Sequence, residues 1–172
     1  MQLSMYQASV PLFLQVLACQ AAILEKAARH AAEKKIEPSA LLAARLYPDM
    51  FPFTRQVQLT ADFPVRACAR LAGVEIPSHP DTETSFGELL ARIAKAAAFV
   101  KRLKPSQIDG SEDKALTIPA GKETMNFTGR DYLIHFAIPN FLFHATTAYD
   151  ILRHNGVELG KRDFLQPPEA MP

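Results

Sequence analysis

"PNFLFHATTAYDILRHNGVELGK", residues 139–161, decides how this chain is read. Phe141, His144, Ala148, Ile151 and Leu152 recur at helical spacing and give one apolar face, and Gly156 follows them where a left-handed cap residue belongs. Asn140, four residues before His144, and Thr147 lie on the same inward side. A histidine on a core-facing stripe is either a hydrogen-bonded structural residue or a metal ligand, and the pattern alone leaves both readings open. Upstream, Tyr132, Leu133 and Phe136 extend the stripe, Thr128 is placed to cap it, and Pro139 should bend it.

Three further helices of similar length precede this one. The first carries Val10, Phe13, Leu14, Leu17, Ala21, Leu24, Ala28 and Ala31 on one face, with Pro11 in its first turn and a basic excess at its C-terminal end. "PSALLAARL" permits a short turn after it. "YPDMFPFTRQVQ" is a structured corner, with an Arg45–Asp49 pair expected to staple it, and leads into the second long helix. That helix runs through Phe53, Val57, Ala61, Val65, Cys68 and Leu71 to a cap at Gly73, with a kink expected at Pro64. Ser85 with Glu88 three residues on is a capping-box signature for the third, whose face is Phe86, Leu89, Leu90, Ile93, Ala97 and Val100. Residues 104–128 lose the helical period; Leu116 and Ile118, then Met125 and Phe127, alternate around Ala120-Gly121, as in a short hairpin. Four long amphipathic helices with a longer crossover connection and a hairpin around 114–127 make an all-α bundle, one domain over residues 1–172.

The totals narrow the function classes. Of 172 residues, 19 are Lys or Arg and 18 Asp or Glu, so no global field favours nucleic acid or an anionic membrane. The stretch Val16-Leu17-Ala18-Cys19 has the form of a lipoprotein cleavage box, but no basic residue precedes it and the helical pattern runs on past Cys19. The first helix contains Pro11 and several polar residues, which argues against a membrane span. Cys19 and Cys68 sit within helical patterns at no redox or metal spacing, which points to buried thiols in a reducing, cytoplasmic setting. There is no glycine-rich phosphate loop, no G-x-S-x-G elbow and no H-E-x-x-H.

The chemistry therefore concentrates on a few side chains. Asn140, His144 and Thr147 on the last helix, with Gln58 and Asp62 on the second, are the candidates for a polar axial pocket. Asp62 opposite His144 would orient or activate the ring; Asp62 beside Arg66, four residues on, would instead be an ion pair. A divalent metal, zinc or nickel, would have His144 as its ligand here, and Asn140 is a poor donor for either.

The blocks "SMYQASVPLFL", "RLYPDMFPFTRQVQ", "ARLAGVEIP" and "IPNFLFHATTAYDILRHNGVELGKRDFL" resemble, over nearly the whole chain, a bacterial domain-of-unknown-function family placed in the DinB-like (DinB/YfiT) superfamily. The resemblance implies a four-helix bundle with one longer crossover, a homodimer, and in many members a divalent metal held by three histidines. Aligning the superfamily's ending on Leu152, Arg153 and Gly156 puts Asn140 and His144 where a histidine pair stands, and the second helix offers Gln56, Gln58 and Asp62 but no histidine. The expectation is a bundle with a lost or altered metal site that binds a small molecule or serves an accessory role. Two alternatives remain: a metal-dependent enzyme such as a thiol-dependent transferase, and a structural homodimer.

Overall fold

A computed structural model describes residues 3–120 and 123–165. In chain order its elements are α1 (Val10–Lys34), α2 (Pro38–Leu42), α3 (Phe53–Ala72), α4 (Phe86–Lys101), α5 (Pro105–Ile108), β1 (Ala115–Ala120) and β2 (Glu123–Thr128). They are followed by α6 (Gly129–Asp131), a π-helical stretch Tyr132–Ala137, α7 (Ile138–His154) and α8 (Lys161–Leu165).

Residue pairs give the direction of each helix. The Phe53 and Phe86 rings lie 6.2 Å apart and Asp62 meets Arg92 at 2.7 Å, so α3 and α4 run parallel. Arg70 reaches Tyr132 and Gln56 reaches His144, so α3 and the last helix run antiparallel. Phe13 packs edge-on to Phe141, while Arg29 and His30 border Gly156 and Val157, so α1 and α7 point the same way. The bundle is therefore up-down-down-up. Two consecutive parallel helices require the chain to return along the bundle, and residues 73–85 form that crossover strap.

The local signals act as their chemistry dictates. Gly73 (φ 69°) and Gly156 (φ 89°) take the left-handed conformation at the ends of α3 and α7. Glu88 N–H donates to Ser85 Oγ, and Asp131 N–H to Thr128 Oγ1. The hairpin pairs Leu116 with Phe127 and Ile118 with Met125, and its turn at Gly121 lies outside the described residues. Lys114 Nζ, just before β1, donates to the carbonyls of Arg70 and Leu71 and satisfies the C-terminal end of α3. At the corner, Arg45 and Asp49 form no pair: both are exposed, and the Arg45 guanidinium donates instead to the Met50 carbonyl.

Phe13, Leu17, Leu24, Phe53, Leu71, Leu89, Ile93, Leu133, Phe141 and Ile151 fill one continuous core. α1 is long and apolar enough to cross a membrane by length and composition alone, and half of its most apolar window is buried inside the bundle. Cys19 and Cys68 are buried free thiols, and burial pushes Cys68 up to about 12, which leaves it unreactive.

Pro139 has a further effect. It has no N–H to offer and its ring crowds the carbonyl four residues back. The helix widens just before it: Ile138 N–H reaches the Leu133 carbonyl, five residues away. Asn140 then turns its side-chain amide onto the Phe136 carbonyl at 2.7 Å.

Candidate functional site

α3 is buried on most of its circumference, between α7 on one side, α4 on another and the strap over a third. Its polar side chains therefore have to find partners. They do so in two places, and the residues singled out from the sequence are divided between them.

The first place is the contact with α7. His144, 8% exposed, lies almost parallel to the Phe63 ring at 5.5 Å and edge-on to Phe143 at 5.3 Å. Its Nδ1 stands 2.7 Å from Gln56 Oε1. The Gln56 amide has only one orientation, because its Nε2 donates to the Phe51 carbonyl, which can only accept. Oε1 must then face the ring, so Nδ1 carries the proton and Nε2 keeps its lone pair. Nε2 meets no hydrogen-bond partner among the described residues and is not sealed from solvent. Burial first, and the positive charge of Arg55 second, lower the imidazole to about 4, so the ring is neutral at physiological pH. Phe51 and Phe143 are 52% and 55% exposed at the edge of this arrangement, and the Arg55 guanidinium lies 5.9 Å over the Phe51 ring.

The second place is the groove between α3 and α4, closed by the strap. Arg92, only 2% exposed, donates through Nη2 to Asp62 at 2.7 Å and Asp81 at 2.8 Å. Through Nη1 it donates to Glu83 at 2.8 Å and to the Pro80 carbonyl at 3.1 Å. Gln58 donates to the other Glu83 oxygen at 2.8 Å and accepts from Arg55, whose guanidinium also pairs with Asp81. Arg66 closes the outer side on Asp62 at 2.8 Å. Glu83 is held below the usual carboxylate range: burial opposes this, but the hydrogen bonds from Arg92 and Gln58 prevail.

Asp62 thus faces Arg92 and Arg66, and the His144 ring is oriented by Gln56. Gln58 belongs to the strap network as well. Thr147 is buried and donates to the Phe143 carbonyl, while Asn140 is committed to Phe136, so neither is directed at the imidazole. Arg55 links the two places. The residues of this network that the sequence did not single out are Arg55, Asp81, Glu83 and Arg92. The signal that existed for Arg92 was its register: it falls beside Ile93 and one turn after Leu89, on the inner side of an otherwise apolar helix.

Three histidines are absent from this arrangement, and among the described residues no three His, Cys, Asp or Glu side chains gather as metal donors. A lone imidazole beside an amide and an aromatic ring does not fit a tetrahedral or octahedral divalent ion.

Comparison with known proteins agrees with the architecture. Residues 5–165 match the family model described as Domain of unknown function (DUF1993). A crystal structure of a DinB family member protein from Shewanella denitrificans superposes with a TM-score of 0.84 at 37% identity, covering 97% of this chain and 95% of that one. No curated protein matches.

Proposed function

Since this chain belongs to the DUF1993 family and shares the DinB-like bundle, we propose that it is a metal-free binding protein. Its recognition element is the His144 edge, and its ligand is an aromatic small molecule with one N–H or O–H donor. The observation that supports this is the Phe51–Gln56–His144 relay, which leaves an unprotonated Nε2 that is not sealed from solvent on a ring held against Phe63 and the exposed Phe143. A neutral acceptor beside apolar surface recognises a donor on a flat apolar body, and the aromatic flanks supply the area. We place the protein in the cytoplasm as a homodimer; sedimentation at low micromolar concentration reads the oligomeric state, and a monomer there would remove that part of the proposal.

The direct test uses protein carrying 15N-labelled histidine, titrated with phenol and with indole. The expected result is a saturable shift of the His144 Nε2 resonance that disappears in His144→Phe. Absence of a shift with both probes would overturn the reading, as would stoichiometric zinc or nickel in untagged protein that is lost in His144→Ala.

A further inference from the structure

The strap is attached in an unusual way for a segment that spans the bundle. None of its residues from 73 to 85 is buried. Apolar burial, the usual anchor of a crossing chain, is replaced by the polar contacts of Pro80, Asp81 and Glu83 with Arg55, Gln58 and Arg92. On either side of it lie cavities of about 200 and 180 Å³, and His79 borders both. The strap therefore has space to move into on each flank.

Within these contacts the three carboxylates are not equivalent. Asp62 and Glu83 are each nearly covered, whereas the Asp81 side chain is 43% exposed. Asp81 also has a distinctive geometry. One of its oxygens accepts from Arg92 on α4 and the other from Arg55 on α3, so its carboxylate sits in a fork made by two helices. Arg92 is held by Asp62 and Arg55 by Gln58, both on α3 and neither part of the strap, so the fork is formed whether or not Asp81 is there.

Charge counting leads the same way. Arg55, Arg66 and Arg92 face Asp62, Asp81 and Glu83, which balance; withdrawing Asp81 leaves one positive charge uncompensated. The fork offers only donors, and the Nε of Arg92 is a further buried donor without a partner. A group that replaces Asp81 must be a monoanionic acceptor with two oxygens.

We propose that Asp81 is a tethered plug in a two-arginine seat for a carboxylate, and that a free carboxylate-bearing ligand displaces it and loosens the strap around residue 81, with Glu83 still held by Arg92 and Gln58. The seat shares Arg55 with the His144 edge, but it is completed by Arg92 and does not depend on how that edge is used.

Acetate, which reproduces the Asp81 side chain, is the probe, and acetamide is its neutral counterpart, both at fixed ionic strength. In wild-type protein, saturating acetate is expected to lower the backbone 15N heteronuclear NOE of the strap amides around Asp81, with acetamide inert. In Asp81→Ala those values are low without any addition, acetate binds at least tenfold more tightly than to wild type, and Asp81→Ala/Arg55→Gln loses the gain. Strap NOE values that ignore acetate, an equal response to acetamide, or no tightening in Asp81→Ala overturns the proposal. The wild-type arm stands by itself should the variant fold poorly.

Discussion

His144 on α7 and Gln56 on α3 form a bond of 2.7 Å between two helices that otherwise meet through apolar side chains, and the Phe51 carbonyl behind Gln56 fixes which atom carries the proton. Long-range nitrogen–proton NMR should therefore find a single tautomer with the proton on Nδ1. Gln56→Ala leaves that N–H buried without a partner and should destabilise the fold by about 1–3 kcal/mol, read by chemical denaturation. An Nε2-protonated ring in wild type would show the relay to be wired the other way.

The same ring predicts a pH dependence. Its folded-state value, about 4, lies below its ordinary 6.5. Between those values the unfolded chain takes up a proton that the folded one refuses, so this contribution is fully present above pH 6.5 and is lost as pH falls toward 4. The loss is at most ~3 kcal/mol. His144→Phe should flatten the stability profile across that window. An unchanged profile would mean that the imidazole takes up its proton as readily in the fold as in the unfolded chain. Glu83, lowered by its arginine and glutamine partners, adds a loss of the same sign at more acidic pH.

Arg92 and Arg66 both pair with Asp62, yet they should behave differently on substitution. Arg92→Met strands Asp62 and Glu83 without their buried cation and should cost about 3–5 kcal/mol. Arg66→Met removes a partly exposed partner and should cost about 0–1 kcal/mol. Urea midpoints of the two variants provide the check, and equal losses would contradict the distinction.

Gly129, at the start of α6, lies against the chain before the hairpin. A Cβ there would stand 2.0 Å from the Ser111 carbonyl oxygen, which is backbone and cannot swing away. Gly129→Ala should lower stability by about 1–3 kcal/mol or more, while Gly160→Ala, which meets nothing within 4 Å, should change it by less than about 0.5 kcal/mol. Thermal melting of the pair separates a steric cause from a general one.

The helices were legible in the sequence because each had both a periodic face and a chemical stop: Ser85 with Glu88, Thr128, Gly73 and Gly156 mark ends that local hydrogen bonding or φ alone determines. The hairpin, though not its register, followed from the alternation of Leu116, Ile118, Met125 and Phe127 by the same local logic. The partners of the polar residues were not legible. Gln56 and Gln58 are two residues apart on one helix, and which of them meets His144 depends on the placement of α7, which has no local signature. Asp62 could be paired correctly with Arg66 at helical spacing, but its second partner, Arg92, lies 30 residues away across a crossover whose path only the tertiary fold determines. Arg45 and Asp49 failed for the opposite reason: their spacing suggested a pair, but Arg45 turned to the Met50 carbonyl and Asp49 stayed exposed.

The widened turn before Pro139 has a consequence for how this helix tolerates change in length. A π turn carries one residue more than a regular helix would place there, and each residue of an α-helix turns the chain by roughly 100°. At its start Tyr132 accepts from Arg70; beyond its end His144 meets Gln56; both partners belong to α3. Because a π turn rotates the chain less per residue, it absorbs that additional residue and keeps the helix in step with two fixed points on its neighbour. Deleting one residue here would relax the turn to a regular helix with both contacts kept, whereas the same deletion in the regular part of α7 would swing one of them away.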